Sequence, residues 1–258
     1  MSGEKVRKRS DTCADHYSQA RLFFRSQTEP EQRHIISAFA FELAKVQTKA
    51  IRTRMLAHLA QVDPTLHAGV AAALGMKEAT EEVKPAVAPR DLPPSPALSI
   101  LGKMPKTLAG RKIGVLVADG FDAARLAELR ASAKSEKAAL TIIAPKVGGA
   151  KDSAEKMIEA ERALSGPPSV LFNAVVLLLS RESAAELAAN SGAIDFVRDA
   201  FGHCKVLGHT AEAQTLLDAA GVKPDGGVIE ISKGGDAFIR TAKDGRIWAR
   251  EPALRPPG

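Results

Sequence analysis

The apolar positions of the chain fall first into a helical rhythm and later into strand-sized runs. Thr28 followed by Glu31 makes a capping box, and Pro30 stands in the first turn, where its missing N–H costs nothing. Beyond it Ile35, Phe39, Leu43 and Val46 recur at helical spacing and predict one apolar stripe. Ile51, Met55, Leu59 and Val62 predict a second helix. Asp63 caps a third, with Pro64 at its first position, Leu66, Val70 and Leu74 on one face, and Gly75 as the stop. Residues 15–75 therefore read as an all-helical segment. Three short amphipathic helices have little surface to bury among themselves and are expected to pack on something else.

The rhythm then changes twice. Residues 76–109 hold six of the fifteen prolines (Pro85, Pro89, Pro93, Pro94, Pro96 and Pro105) and few large apolar residues, which predicts an extended, partly polyproline-like linker and a domain boundary. From residue 110 to 252, short apolar runs alternate with helical spacing. Lys112–Ala118 predicts a strand, Asp122–Lys137 a helix, and Leu140–Ala144 a second strand. Val170–Leu179 contains a third strand, followed by one helix from Glu182 to Phe201. Cys204–Leu207 predicts a short fourth strand and Ala211–Ala220 a helix stopped by Gly221. Val228–Ile231 gives a fifth strand and Asp236–Lys243 a last helix. Continuous apolar strands alternating with helices imply a parallel sheet covered on both faces, so the expected fold class is α/β, a flavodoxin-like doubly wound domain of five strands. A basic arm over residues 1–14 and a tail over 253–258 complete the division.

Composition narrows the class. At 258 residues with 45% hydrophobic and 26% charged positions, the chain reads as a folded soluble protein. Its longest apolar candidate, Ala174 to Leu179, is strand-sized, against the roughly 20 residues of a membrane-spanning helix. The opening MSGEKVRKRS has no apolar core after its basic residues, so no ordinary secretory signal is expected. Cys13 and Cys204 form no CxxC pair, which suits a reducing cytoplasm. The net charge of +6 is concentrated in the first part of the chain, and Glu4, Lys5, Arg7, Lys8 and Arg9 alone supply +3 of it. No aromatic residues interleave with these charges and no DNA-binding motif follows, so the arm reads as solvated or as a subunit contact, not a nucleic-acid site.

Sheets of this kind bind ligands beyond the carboxyl ends of their strands, so any chemistry of the α/β part is expected there. The first strand-to-helix loop is Ala118-Asp119-Gly120-Phe121-Asp122; its two carboxylates repel phosphate, and no GxGxxG or GxxxxGK[ST] motif occurs. The fourth strand leads into Gly208-His209-Thr210-Ala211-Glu212, the place of a nucleophile elbow, yet no Ser or Cys occupies the turn. Cys204 is expected at the far end of that strand, about 13 Å away. Thr210 with His209 is a conceivable nucleophile pair, but a helix cap beside a polar loop residue is the simpler reading; Asp122 reads first as a helix N-cap, with catalytic acid as the alternative. His203, Cys204 and His209 sit at opposite ends of one strand, and His16, His34, His58 and His67 form no ligand pair. The residues point to no catalytic, cofactor-binding or metal site.

One longer likeness remains. Asp15-His16-Tyr17-Ser18-Gln19-Ala20-Arg21-Leu22-Phe23-Phe24, with Arg25-Ser26-Gln27, Glu31-Gln32 and Phe41-Glu42-Leu43, resembles the C-terminal helical segment of haem catalases of the large-subunit class. Val46 to Leu74, with Arg52, Arg54 and Leu59-Ala60-Gln61-Val62-Asp63, is similar to that class too, as is Trp248-Ala249-Arg250. The class carries a proline-containing linker and then a flavodoxin-like domain similar to PfpI and class I glutamine amidotransferases, the order met here over residues 5–252. The resemblance implies hydrogen peroxide disproportionation in the complete enzyme. It also implies a haem held by a tyrosine in an R-x-F-x-Y-x-D-T pattern, with a distal histidine and asparagine, all in a barrel that would precede residue 1. Tyr17, the single tyrosine, stands in DHYSQ and does not match that pattern. The expectation is a C-terminal portion of a large catalase, with no cofactor of its own, serving stability, folding or assembly with a catalase core or with homo-oligomer subunits. PfpI relatives use an elbow cysteine that is missing here, although Asp122 falls near their carboxylate. Gln19 and Phe23 lie where small-subunit catalases help bind NADPH, a site the extra domain of the large class is thought to fill. A stand-alone chaperone-like module and a PfpI-type hydrolase or glyoxalase are the alternatives.

Overall fold

The computed structural model describes residue 3 and residues 5–76, 82–232 and 234–254. Parts of the expected arm, linker and tail, at residues 1, 2, 4, 77–81 and 255–258, lie outside the described residues. The chain forms two compact units divided between Met104 and Pro105.

The first unit holds four helices, α1 (Ser18–Arg25), α2 (Glu29–Ala44), α3 (Lys49–Val62) and α4 (Pro64–Ala73). The sequence pattern predicts three and misses α1, whose eight residues are too few for a repeating stripe. The two expected caps form. The Thr28 N–H donates to Glu31 Oε2 over 2.8 Å, and Asp63 Oδ1 accepts from the Thr65 N–H over 2.8 Å. Phe24, Leu43, Leu56, Leu59, Leu66 and Val70 build one core, with Ile35 and Phe39 packed against it. Each fully buried Leu or Val contributes about 1.5–3 kcal/mol relative to exposure. The stripe expected on α3 is corrected: Leu56, Leu59 and Val62 face inward, whereas Ile51 and Met55 are 48% and 37% exposed. Val46 lies beyond the end of α2.

Two single-turn 3-10 pieces interrupt the otherwise irregular residues 82–104. Side chains of the helices hold this segment down. Ser18 Oγ accepts from the Arg90 N–H and Ser26 Oγ from the Ser95 N–H, both over 2.8 Å. Glu31 accepts from Ser99 Oγ and from the N–H groups of Ile100 and Leu101 at 2.8, 2.8 and 3.0 Å.

The second unit is α/β. Its strands are β1 (Lys112–Val117), β2 (Ala139–Ala144), β3 (Ala150–Lys151), β4 (Met157–Ile158), β5 (Arg162–Ala163), β6 (Ala174–Leu178), β7 (Val206–His209) and β8 (Val228–Glu230). Six form a parallel sheet in the order β5-β2-β1-β6-β7-β8, and β3 and β4 make a separate antiparallel pair. One row across the sheet runs Ile142–Val115–Val176–Gly208–Ile229. Alternate side chains feed two cores. Leu116, Val175, Leu177 and Leu207 pack beneath α6 (Arg181–Ala188), α7 (Ser191–Gly202) and α8 (Gln214–Ala219). Val115, Val117, Val176 and Val206 pack beneath α5 (Ala123–Ser135) and α9 (Asp236–Lys243). Strands buried on both faces explain the continuous apolar runs.

Three expectations are corrected. The sheet has six strands, because the two-residue β5 pairs with Ile143 and Ala144 at one edge. The single helix expected from Glu182 to Phe201 is two, since Asn190 caps α7 by accepting from the Ala193 N–H at 3.2 Å. The fourth strand starts at Val206, because Cys204 has a left-handed backbone (φ 57°) and closes the end of α7 through Cys204 N–H to Phe201 O and Lys205 N–H to Ala200 O. Near the chain end a short helix α10 (Glu251–Leu254) follows Arg250. The Arg250 side chain reaches Lys205 O at 2.8 Å, pairs with Asp225, and lies 4.1 Å over the Phe201 ring.

Candidate active site

A cleft of about 440 Å³ opens at the carboxyl ends of the strands, where β1 and β6 lie side by side while their following helices cover opposite faces. Gly120, Asp122, Arg125, Ser180, Thr210 and Glu212 are among its lining residues, so the structure does bring the loop after β1 and the turn after β7 to one place.

Asp122, Arg125, Ser180 and Thr210 each have a structural partner. Asp122 caps α5, its Oδ1 accepting from the Arg125 N–H at 3.0 Å. Arg125 bridges Glu128 and the Ser232 carbonyl, each at 2.7 Å. Ser180 caps α6 and donates its hydroxyl to the Asp119 carbonyl at 3.0 Å. Gly120, at φ 85°, passes so close to Ser180 that an added Cβ would lie 3.0 Å from it. Thr210 is buried, and its hydroxyl donates to the Leu179 carbonyl at 3.0 Å. His209 places Nδ1 3.0 Å from the Thr210 carbonyl instead of a hydroxyl. A general base must reach the proton it removes, and among the described residues this arrangement holds no such nucleophile–base pair. The β3–β4 pair also occupies the loop after β1: Asp119 Oδ1 accepts from the Lys151 N–H at 2.8 Å, and the Gly120 N–H donates to Lys151 O at 2.8 Å. That removes backbone donors a phosphate would need.

The remaining candidates do not converge here. Cys204 is buried at the opposite end of β7, and His203 Nδ1 sits 2.7 Å from Asp199 O. In the helical unit Gln19 is exposed and Phe23 is 47% exposed. His16 is exposed, as is His34 on α2; His58 and His67 are half-buried on α3 and α4. Among the described residues no group of three or more His, Cys, Asp or Glu side chains is placed to hold a metal ion. No helix among them is long and apolar enough to cross a membrane.

Three further groups are electrostatically perturbed: Glu31, which the sequence shows only as a capping partner, and Lys205 and Asp225, which sequence reasoning missed. Burial pushes the Glu31 carboxyl up, but the Leu101 and Thr28 N–H groups and the Thr28 and Ser99 hydroxyls outweigh it and hold it at about 2. Burial together with the Arg246 charge pulls the Lys205 ammonium down to about 8, with Asp199 opposing. Asp225 is also pushed up by burial, yet Arg250 and the Gly227 N–H bring it below the usual carboxylate range. For Ser180 the signal was in the sequence, a serine directly after an apolar run with Ser183 three positions on.

With this geometry in place, the comparisons with known proteins fall into line. Residues 10–74 match the family described as catalase-related immune-responsive, and residues 109–250 match the C-terminal domain found in long catalases. The chain belongs to the long-catalase C-terminal domain family. It is 49% identical over 258 residues to Catalase C of Rhizobium meliloti (strain 1021), covering 98% of this chain and 37% of that protein. It is 37% identical over 260 residues to Catalase HPII of Pseudomonas putida, covering 98% and 36%, and 31% identical over 257 residues to Catalase-2 of Bacillus subtilis (strain 168), covering 97% and 36%. The chain thus spans little more than a third of the length of these curated relatives.

Proposed function

We propose that this chain is the non-catalytic C-terminal portion of a long catalase, serving folding, stability and subunit assembly of an enzyme that disproportionates hydrogen peroxide in the cytoplasm. The observation that carries the reading is the cleft, where the Ser180 and Thr210 hydroxyls and the Asp122 carboxylate cap helices and join strands, with no nucleophile–base pair among the described residues. Without the two-residue edge strand, the sheet order is that of a flavodoxin-like domain, 2-1-3-4-5, which supports placing the α/β unit with the PfpI and glutamine amidotransferase folds. The residues present do not fit a haem. The family's ligand pattern is absent, and the phenol of Tyr17 is 8% exposed and already bonded to His58. The partner of this reading is a catalase core, or further subunits of the same oligomer. Phe23, Phe41 and Ile51, exposed at 47%, 65% and 48%, are among the apolar groups of the helices that such a partner would cover.

The test is direct. The purified chain, mixed with haem, is expected to develop no protein-bound Soret band and to consume hydrogen peroxide no faster than the same amount of free haem. A Soret band accompanied by peroxide consumption well above that control overturns the reading.

A further inference from the structure

Tyr17 immediately precedes α1, and its ring stacks on His58 of α3 with centroids 6.1 Å apart and planes 28° from parallel. The phenol oxygen lies 2.8 Å from His58 Nδ1, across 41 positions of sequence. Tyr17 is 8% exposed, among the same apolar residues that form the helical core, and the His16 ring meets it edge-on at 6.3 Å. No other tyrosine exists in the chain.

These facts have a chemical consequence. A phenol that loses an electron becomes a strong acid, so its oxidation is easy only where a base stands ready for the proton. Water serves at a surface; at a buried ring the base must be built in. With the imidazole proton on Nε2, His58 Nδ1 is such a base, already in hydrogen-bond contact. Burial keeps a second ring from coupling to the oxidised one.

We propose that Tyr17 and His58 form a proton-coupled redox site, which takes a high-potential one-electron oxidant as its reactant. The electron leaves the Tyr17 ring for the oxidant. The O–H bond breaks and its proton forms an N–H bond at His58 Nδ1, leaving a neutral tyrosyl radical beside an imidazolium. One electron from a small reductant such as a thiol returns to the phenoxyl oxygen, the His58 N–H bond breaks, and the O–H bond re-forms, restoring both residues. Neither the cleft nor a peroxide-disproportionating role is needed for this step, so it stands apart from the proposed function.

Photo-oxidation of the full chain with a ruthenium tris-bipyridine sensitiser and an electron acceptor, followed by electron paramagnetic resonance, tests it. A tyrosyl signal is expected in the native chain and lost in Tyr17→Phe. Its rate of formation is expected to be independent of buffer-base concentration, because the acceptor is internal. His58→Phe and His58→Gln are expected to slow it by roughly 100-fold, the lower end of what a positioned base contributes. A radical forming at the native rate in both variants overturns the proposal. So does a native rate that climbs with buffer base, a result that needs no variant to fold.

Discussion

Replacing Glu31 by alanine is expected to lower the unfolding free energy of the helical unit by about 2–4 kcal/mol at pH 7. One half-buried carboxylate accepts from five donors: the N–H groups of Thr28, Ile100 and Leu101 and the hydroxyls of Thr28 and Ser99. Hydrogen bonds to a charged group contribute about 1.5–3 kcal/mol each in isolation, and contributions sharing one acceptor do not add, which sets the range. The loss is also specific in place. Amides 100 and 101 are expected to exchange with solvent quickly in the variant, since their acceptor is gone, while the centre of α3 stays protected. The sign of the pH dependence follows from the lowered pKa. Folding holds Glu31 at about 2 against an ordinary 4.5, so its contribution is complete above pH 4.5 and disappears as the pH falls toward 2. Urea unfolding across that window should therefore show a steeper acid loss in the native chain than in Glu31→Ala. A change below about 0.5 kcal/mol, the size of a neutral surface substitution, contradicts the assignment.

Lys205→Met is expected to act in the opposite direction, stabilising the α/β unit by about 1–3 kcal/mol at pH 7. Lys205 is 1% exposed and donates its ammonium to the Ser169 carbonyl, with the Arg246 charge opposing and the Asp199 charge favouring the protonated form, and the Ser169 hydroxyl has no hydrogen-bond partner among the described residues. A buried ammonium whose desolvation outweighs the attraction of Asp199 is a net cost, and an apolar side chain of similar length removes it. Folding lowers its pKa from 10.5 to about 8, so below pH 8 both folded and unfolded chains hold the proton and the penalty is complete. Between pH 8 and 10.5 only the unfolded chain binds it, so native stability rises through that interval, by at most about 3 kcal/mol. Lys205→Met should lack this rise. Thermal unfolding at several pH values reads both effects, and a variant less stable than the native chain at pH 7 would show that the Ser169 bond outweighs the buried charge.

Much of the fold was legible because it is written locally. Thr28 with Glu31, Asp63 with Pro64, and Asp122 are caps whose partners lie two or three residues away, and all three mark real helix starts. The inward strands announce themselves as unbroken apolar runs. What escaped reading depends on distant partners. A two-residue strand such as β5 has no period to detect and exists only because β2 offers an edge. Periodicity put Ile51, Met55 and Leu59 on one stripe, but α3 buries Leu56, Leu59 and Val62, and only the packing of α4 and α1 decides between adjacent faces. The break at Asn190 was visible as an N-cap residue, yet apolar spacing on either side of it reads as one helix. Glu31 serves residues 68 to 70 positions away, and Tyr17 meets His58 across 41; no spacing rule reaches that far. At the cleft, the sequence favoured caps over catalysis for Thr210 and Asp122. Thr210 instead ties its hydroxyl across to Leu179, a bond between neighbouring strand ends rather than a helix cap.

In the proposed function this chain supports a catalase without performing its chemistry. The most direct measurement uses Catalase C of Rhizobium meliloti, 49% identical to this chain, made without the region that aligns with it. The truncated enzyme is incubated with the purified chain, and the complex and the half-life of peroxide consumption on heating are followed. A stable complex and a longer half-life are expected, with no peroxide consumption by the chain alone. No complex and an unchanged half-life would contradict it.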